Sequence, residues 1–252
     1  MTTDTFPKQA AVRFEHGGRA YTVAGCAKGS GMIEPDMATM LAFMTTDAPV
    51  AVDALRPLVR EAAGASFNML TIDGDTSPND TLVVLANGAA GGDEIGAGHP
   101  ALPLLRAAIE RVSVTLTRKL ARDGEGATKL IEVRVDGAAS IDDARRAAKA
   151  VARSALVKTA VYGNDPNWGR VLVAVGYSGA EVREQTIALS IQEVDVFRDG
   201  APLPYDEAAL SAALNHPEVR FRIDLGLGDA TATAWGCDMT PEYVRINAEY
   251  TT

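Results

Sequence analysis

Apolar and polar residues alternate over residues 10–14 and again over 19–24, on either side of Glu15-His16-Gly17-Gly18. This predicts a β-hairpin closed by a glycine turn. From residue 50 to 67 the period changes: Val52, Leu55, Leu58, Val59 and Ala62 or Ala63 recur at helical spacing, so an amphipathic helix is expected to start near residues 47–50 and end near Gly64. Residues 69–72 and 81–87 read as strands flanking a loop dense in Asp, Gly, Thr, Ser and Asn. Residues 100–121 predict a long helix with Leu102, Leu105, Ile109, Val112, Leu116 and Leu120 on one face. A strand at 130–135, a helix at 140–158 capped by Ser140, and a strand at 171–175 have the order of a β-α-β unit. Residues 186–197, a turn at Arg198-Asp199-Gly200, a short helix over 206–214, and strands at 219–227 and 230–235 complete a second β-rich region.

Composition narrows the class of protein. The 252 residues are 47% apolar and 23% charged, ordinary for a globular chain long enough for one large domain or two smaller ones. A formal charge of −9 argues against nucleic acid or an anionic membrane as partner, because both call for clustered Lys and Arg. There is no apolar run of spanning length, and the polar N-terminus lacks the pattern of a signal peptide, so a cytoplasmic location is expected. Two cysteines make no disulfide framework, and Cys26 is expected to be a small buried hydrophobe. His16, His99 and His216 show no metal-ligand spacing, so no metal and no cofactor are expected. The glycine-rich run over residues 88–98 lacks the GxGxxG spacing of a nucleotide site and reads as a surface loop.

Candidate chemistry gathers in Lys28-Gly-Ser-Gly-Met-Ile-Glu-Pro-Asp-Met-Ala-Thr39-Met-Leu-Ala-Phe43. One reading is a glycine and proline loop running into a buried strand or core helix, with Thr39 packed as a β-branched residue. The other is a self-cleaving nucleophile. A threonine hydroxyl needs a base beside it, and its own N-terminal amine can serve, but that amine exists only once the Ala38–Thr39 bond is broken. An α-amino group titrates near pH ~8, so a useful fraction is neutral at physiological pH. Elsewhere, Glu125 between two glycines is either a solvated loop acid or a carboxylate held ready for an ammonium group. Trp168 and Arg170 suit either a ligand clamp or a packing corner.

The Lys28 to Phe43 stretch, followed by Thr45-Thr46-Asp47-Ala48, closely resembles the processing-site signature of the ornithine acetyltransferase family, the bifunctional enzymes of arginine biosynthesis. The resemblance continues through Asp73-Gly-Asp-Thr-Ser-Pro78-Asn-Asp-Thr81, Glu125-Gly-Ala-Thr-Lys129 and Gly163-Asn-Asp-Pro-Asn-Trp-Gly-Arg170, and ends at Asn247 and Thr252. It covers essentially the whole chain. It implies an α/β fold of the N-terminal-nucleophile type, a sandwich of sheets and helices, with a nucleophile-bearing region over residues 1–129 and a smaller C-terminal α/β unit over 130–252. It also implies cleavage between Ala38 and Thr39, and acetyl transfer from N-acetylornithine to glutamate through a Thr39 acetyl-enzyme, with acetyl-CoA as a possible second donor. The family's substrate-contacting positions match Thr2, Lys28, Thr39, Glu125, Asn247 and Thr252, so an ordered C-terminal tail is expected. The implied assembly is a heterotetramer of two cleaved pairs. In the family the stretch matching residues 2–8 lies well inside the polypeptide, and the Thr-Gly oxyanion hole precedes it. This chain is therefore expected to be either the C-terminal part of a longer protein or the product of a misplaced start. Pro78 departs from the family's usual threonine and removes a hydroxyl and a backbone donor. The alternatives are a self-processing aminopeptidase or amidase, or an inactive fragment acting as a subunit.

Overall fold

The computed structural model describes residues 3–34, 40–76 and 79–249. The expected cleavage site, Ala38 and Thr39, lies outside these residues, as do Thr2, Pro78 and Thr252. The chain gathers into two compact units, residues 1–68 with 75–120 and residues 69–74 with 121–252. It thus crosses between units at 68/69, 74/75 and 120/121, whereas the sequence places a single boundary at 129/130. Helices and strands alternate within both units, an α/β class. No helix among the described residues is long and apolar enough to cross a membrane.

The first unit holds a four-stranded sheet. β1 (Lys8–His16) and β2 (Arg19–Lys28) form the expected hairpin, with Gly17 and Gly18 both at positive φ in its turn. β3 (Leu41–Thr46) pairs antiparallel with β2, and β4 (Thr81–Ala86) runs parallel to β3. A parallel partner needs a crossover, and α1 (Val52–Ala65) supplies it. Along β3, Ala42, Met44 and Thr46 are buried while Phe43 stays 46% exposed. The period of two thus sends one face inward, where α2 (Leu102–Arg122) lies: the Ser113 hydroxyl approaches Met44 Sδ at 3.6 Å. Cys26 stands opposite Phe43 in the ladder and is exposed, so the expectation that it is buried is corrected. Its place on β2 puts it on the face that α2 does not cover.

The second unit holds a six-stranded sheet. Its order is β10 (Ala230–Cys237), β5 (Leu130–Ala138), β9 (Glu218–Asp224), β6 (Ala188–Ile191), β7 (Val194–Arg198) and β8 (Ala201–Pro202). The parallel partner of β5 is β9, more than eighty residues downstream, with Leu130 opposite Glu218. Residues 171–175, read from sequence as a strand, belong to α5 (Trp168–Gly176). The apolar run Val-Leu-Val-Ala-Val fits either period, and two features decide for the helix. The Asn167 side chain caps the Arg170 N–H, and Val171, Ala174 and Val175 share one buried face. The expected helix over 140–158 is divided into α3 (Ile141–Arg153) and α4 (Ala155–Tyr162) because Ser154 caps a new start, its hydroxyl accepting from Val157 N. α3 begins where predicted, with Ser140 Oγ accepting from Asp143 N at 3.1 Å. The single strand expected over 186–197 is a hairpin turned by Gln192 and Glu193, both at positive φ. Residues 69–72 form no strand, only one bridge from Leu70 to Trp235. α6 (Glu207–Ala213) is capped by Asp206, and α7 (Pro241–Glu249) gives the tail the order expected of it as far as residue 249.

Candidate active site

In the first unit the expected processing segment joins β2 to β3. Lys28 ends β2, Gly29 turns the chain at φ 136°, and Met32 adds a second positive φ of 51°. The start of this turn is tied down by buried polar groups. Asp4 accepts from the Gly29 N–H at 2.8 Å and pairs with the fully buried Lys8, whose ammonium also donates to Gly29 O at 3.2 Å. The Ser30 and Thr3 hydroxyls share a hydrogen bond of 2.5 Å. Burying a lysine and an aspartate is costly unless they are paired and hydrogen-bonded, and here they are.

The far side of the segment is held by a residue that the sequence assigns only to a self-capping loop. Asp80 Oδ1 accepts from the Met40 N–H at 2.5 Å, and the Met40 carbonyl accepts from Thr81 N at 3.0 Å to open the β3–β4 ladder. Asp80 Oδ2 is buried and has no hydrogen-bond partner among the described residues. Burial raises the Asp80 pKa above the ordinary carboxylate range, against the opposing pull of the Met40 N–H and of the Lys28 charge. The signal that could have found Asp80 is its position immediately before a strand that pairs with the residues after Thr39.

In the second unit Glu125 and Asn247 come together although 122 positions separate them. Asn247 Nδ2 donates to Glu125 Oε2 at 2.9 Å and to Tyr243 O at 3.0 Å. Gly126, at φ 68°, lets the loop pass against α7: a Cβ there would lie 2.7 Å from the Tyr243 nitrogen. Thr240 Oγ donates to Gly126 O at 2.8 Å, which ties the start of α7 to the same loop. Beneath lies Asp238, 2% exposed, accepting from the N–H groups of Thr128 and Lys129 at 2.8 Å each and from the Thr128 hydroxyl. Lys129 reaches Val161 O at 2.7 Å and Asn164 Oδ1. Burial lowers its pKa, with the Asp238 charge working the other way. Burial likewise pushes the Cys237 thiol up, although the buried Lys158 ammonium lies 3.7 Å from it.

Trp168 and Arg170 make packing contacts here. The Trp168 ring lies 5.6 Å from that of Phe197, and Arg170 Nη1 donates to Leu156 O at 2.9 Å. A groove of about 510 Å³ in the first unit, lined by Val52, Leu55, Arg56, Val84 and Leu85 among others, has no acid or nucleophile in its wall. Among the described residues no three His, Cys, Asp or Glu side chains converge as a metal ion requires.

The family model described as ArgJ family matches residues 1–252, the full length of the chain. The chain belongs to the ArgJ family. Among ArgJ relatives it is 55% identical over 252 residues to the arginine biosynthesis bifunctional protein ArgJ of Symbiobacterium thermophilum, covering all of this chain and 63% of that protein. It is 48% identical over 255 residues to the mitochondrial ArgJ of Schizosaccharomyces japonicus, covering 99% of this chain and 59% of that one. The chain therefore spans less than two thirds of the length of these relatives. A crystal structure of ArgJ from Bacillus halodurans matches with a TM-score of 0.82 at 43% identity, over 84% of this chain and 100% of the solved one. With this ArgJ neighbour, the expected α/β fold of the N-terminal-nucleophile type holds.

Proposed function

We propose that this chain carries the nucleophile of a glutamate N-acetyltransferase that moves an acetyl group from N-acetylornithine to glutamate. The observation that carries this reading is family membership over every residue, at up to 55% identity to proteins named for bifunctional arginine biosynthesis. One further fact bears on a break before Thr39: the segment sits at a β2–β3 junction gripped on both sides, by Asp4 on Gly29 and by Asp80 on Met40.

Thr39 Oγ attacks the Ala38 carbonyl, the acyl group shifts from nitrogen to oxygen, and water hydrolyses the ester to leave Thr39 as a new N-terminus. Its amine then takes the hydroxyl proton as Oγ attacks the acetyl carbonyl. The amide bond to ornithine breaks, and the same proton passes to the leaving nitrogen. Glutamate's amine reverses these steps on the acetyl-enzyme. Lys28 suits a substrate carboxylate, and Glu125 with Asn247 suits an ammonium group. Thr2 and Thr252 complete the substrate contacts. No cofactor takes part, acetyl-CoA can serve as a second acetyl donor, and the working assembly is a cytoplasmic heterotetramer of two cleaved pairs.

Intact-mass analysis of the purified protein beside Thr39→Ala tests this. The parent is expected to show two pieces divided before Thr39 and the variant one, with acetyl transfer lost in the variant by at least ~10³-fold. A parent that stays whole, or a variant that exchanges acetyl groups at the parental rate, overturns the proposal. Release of free acetate in place of N-acetylglutamate would assign the chain to an amidase instead.

A further inference from the structure

α7 has no side chain in the core. None of its residues from Pro241 to Glu249 is buried, and Val244 is 64% exposed. A helix is ordinarily placed by burying an apolar face, so the position of α7 needs another cause. Hydrogen bonds toward its two ends supply it. At the start stands Thr240, 5% exposed, whose hydroxyl performs two tasks at once. It accepts from the Glu242 N–H at 3.1 Å, which caps the helix, and it donates to Gly126 O at 2.8 Å. Toward the other end, Asn247 Nδ2 donates to Glu125 Oε2. Two helical turns separate Thr240 from Asn247, so both ties fall on one face of α7 and both reach the same loop. That loop is fixed from behind by Asp238, which accepts from the Thr128 and Lys129 N–H groups. The Thr240 hydroxyl therefore sets where the far end of α7, and Asn247 on it, comes down.

We propose that Thr240 is the positioning residue of the Glu125–Asn247 pair, and that through this pair it governs recognition of the substrate that carries an ammonium group. This rests on the acetyl-transfer reading and deepens it. N-acetylornithine has a side-chain ammonium where glutamate has a carboxylate, so the two substrates make opposite demands on this place. A carboxylate grips an ammonium well when its own geometry is held in advance, and the Asn247 amide holds Glu125. Without the Thr240 hydroxyl, α7 loses its tie to Gly126, and Asn247 no longer keeps Glu125 in place.

The experiment exploits double displacement, in which kcat/KM for each substrate belongs to its own half-reaction. Thr240→Val is expected to lower kcat/KM for N-acetylornithine about tenfold, chiefly through KM, and to leave kcat/KM for glutamate within about twofold. Thr240→Ser, which keeps both the cap and the donor, is expected to restore parental values. Equal losses for the two substrates, or a Thr240→Ser protein as impaired as Thr240→Val, assign Thr240 to folding alone and overturn the proposal. If Thr240→Val does not fold, Thr240→Asp decides: its carboxylate still caps the Glu242 N–H but has no proton for Gly126 O. A folded Thr240→Asp protein with the same selective loss supports the proposal; parental values, or failure of this variant to fold as well, overturn it. Thr39→Ala separates the two levels of argument. A Thr39→Ala protein that still transfers acetyl removes the functional reading, and the role of Thr240 with it, whereas an inactive Thr39→Ala beside an unaffected Thr240→Val removes only the role of Thr240.

Discussion

Asp238 stands among the most heavily committed side chains of the second unit. It is 2% exposed and receives three hydrogen bonds, two from backbone N–H groups and one from the Thr128 hydroxyl. Asp238→Ala leaves those donors without an acceptor in a buried setting, and a loss of about 3 kcal/mol in urea denaturation is expected. The same change removes the anion that sustains the charge on Lys129, whose pKa burial already lowers. The folded variant then sheds the Lys129 proton at lower pH than the unfolded chain does, and stability rises with pH wherever the unfolded state binds more protons. The deficit against the parent should therefore shrink as pH is raised toward the ordinary lysine range, and a deficit independent of pH would contradict this account. At this scale the sequence is informative about kind and silent about partner. Glu125 between two glycines is legible as a held carboxylate, but Asn247 as the side chain that meets it is not deducible from the residues alone, since a separation of 122 positions carries no spacing rule. The same holds for Asp80. Local composition puts it in a loop whose acids cap their own backbone, whereas its carboxylate reaches forty residues back to Met40.

The elements themselves are legible wherever one period runs long enough to exclude the other. α2 keeps its apolar stripe from end to end, and the β1–β2 hairpin needs only its alternation and two turn glycines. Short apolar runs are not, as α5 shows, because five residues fit a strand and a helix equally and only capping and burial separate them. The contact between the Glu125 loop and α7 offers a test at this level. Gly126 is at φ 68°, and an added Cβ would press on the Tyr243 nitrogen at 2.7 Å and the Glu242 carbonyl carbon at 2.9 Å. Gly126→Ala must strain the loop or push the first turn of α7 away, and with it the hydrogen bond from Asn247 to Glu125. A stability loss of about 2 kcal/mol by thermal melting is expected, with a raised KM exceeding any fall in kcat. An unchanged KM would detach this contact from substrate binding.

Across the molecule, each sheet has an interior and an edge, and hydrogen exchange should rank them. In the second unit β5 and β9 lie inside the sheet, with fully buried Ile131, Val133 and Val135 on the one and Val219 and Ile223 on the other, while β8 is a two-residue edge. In the first unit β2 and β3 lie inside and β1 and β4 outside. The slowest amides are expected in β5 and β9 and, within the first unit, in β2 and β3, because an interior strand opens only when pairing fails on both sides. Exchange from β5 as fast as from β8 would refute the strand order. What the sequence determined by itself is the α/β class, the long helices and hairpin, and the run of motifs from Lys28 to Asn247, because periodicity and turn chemistry are written in neighbouring residues. Tertiary structure alone decided that β5 takes β9 as its parallel partner, that residues 171–175 are helical, and that Asp80 closes on the amide after Thr39. Those outcomes depend on which distant surfaces exclude water together, and no local pattern encodes that choice.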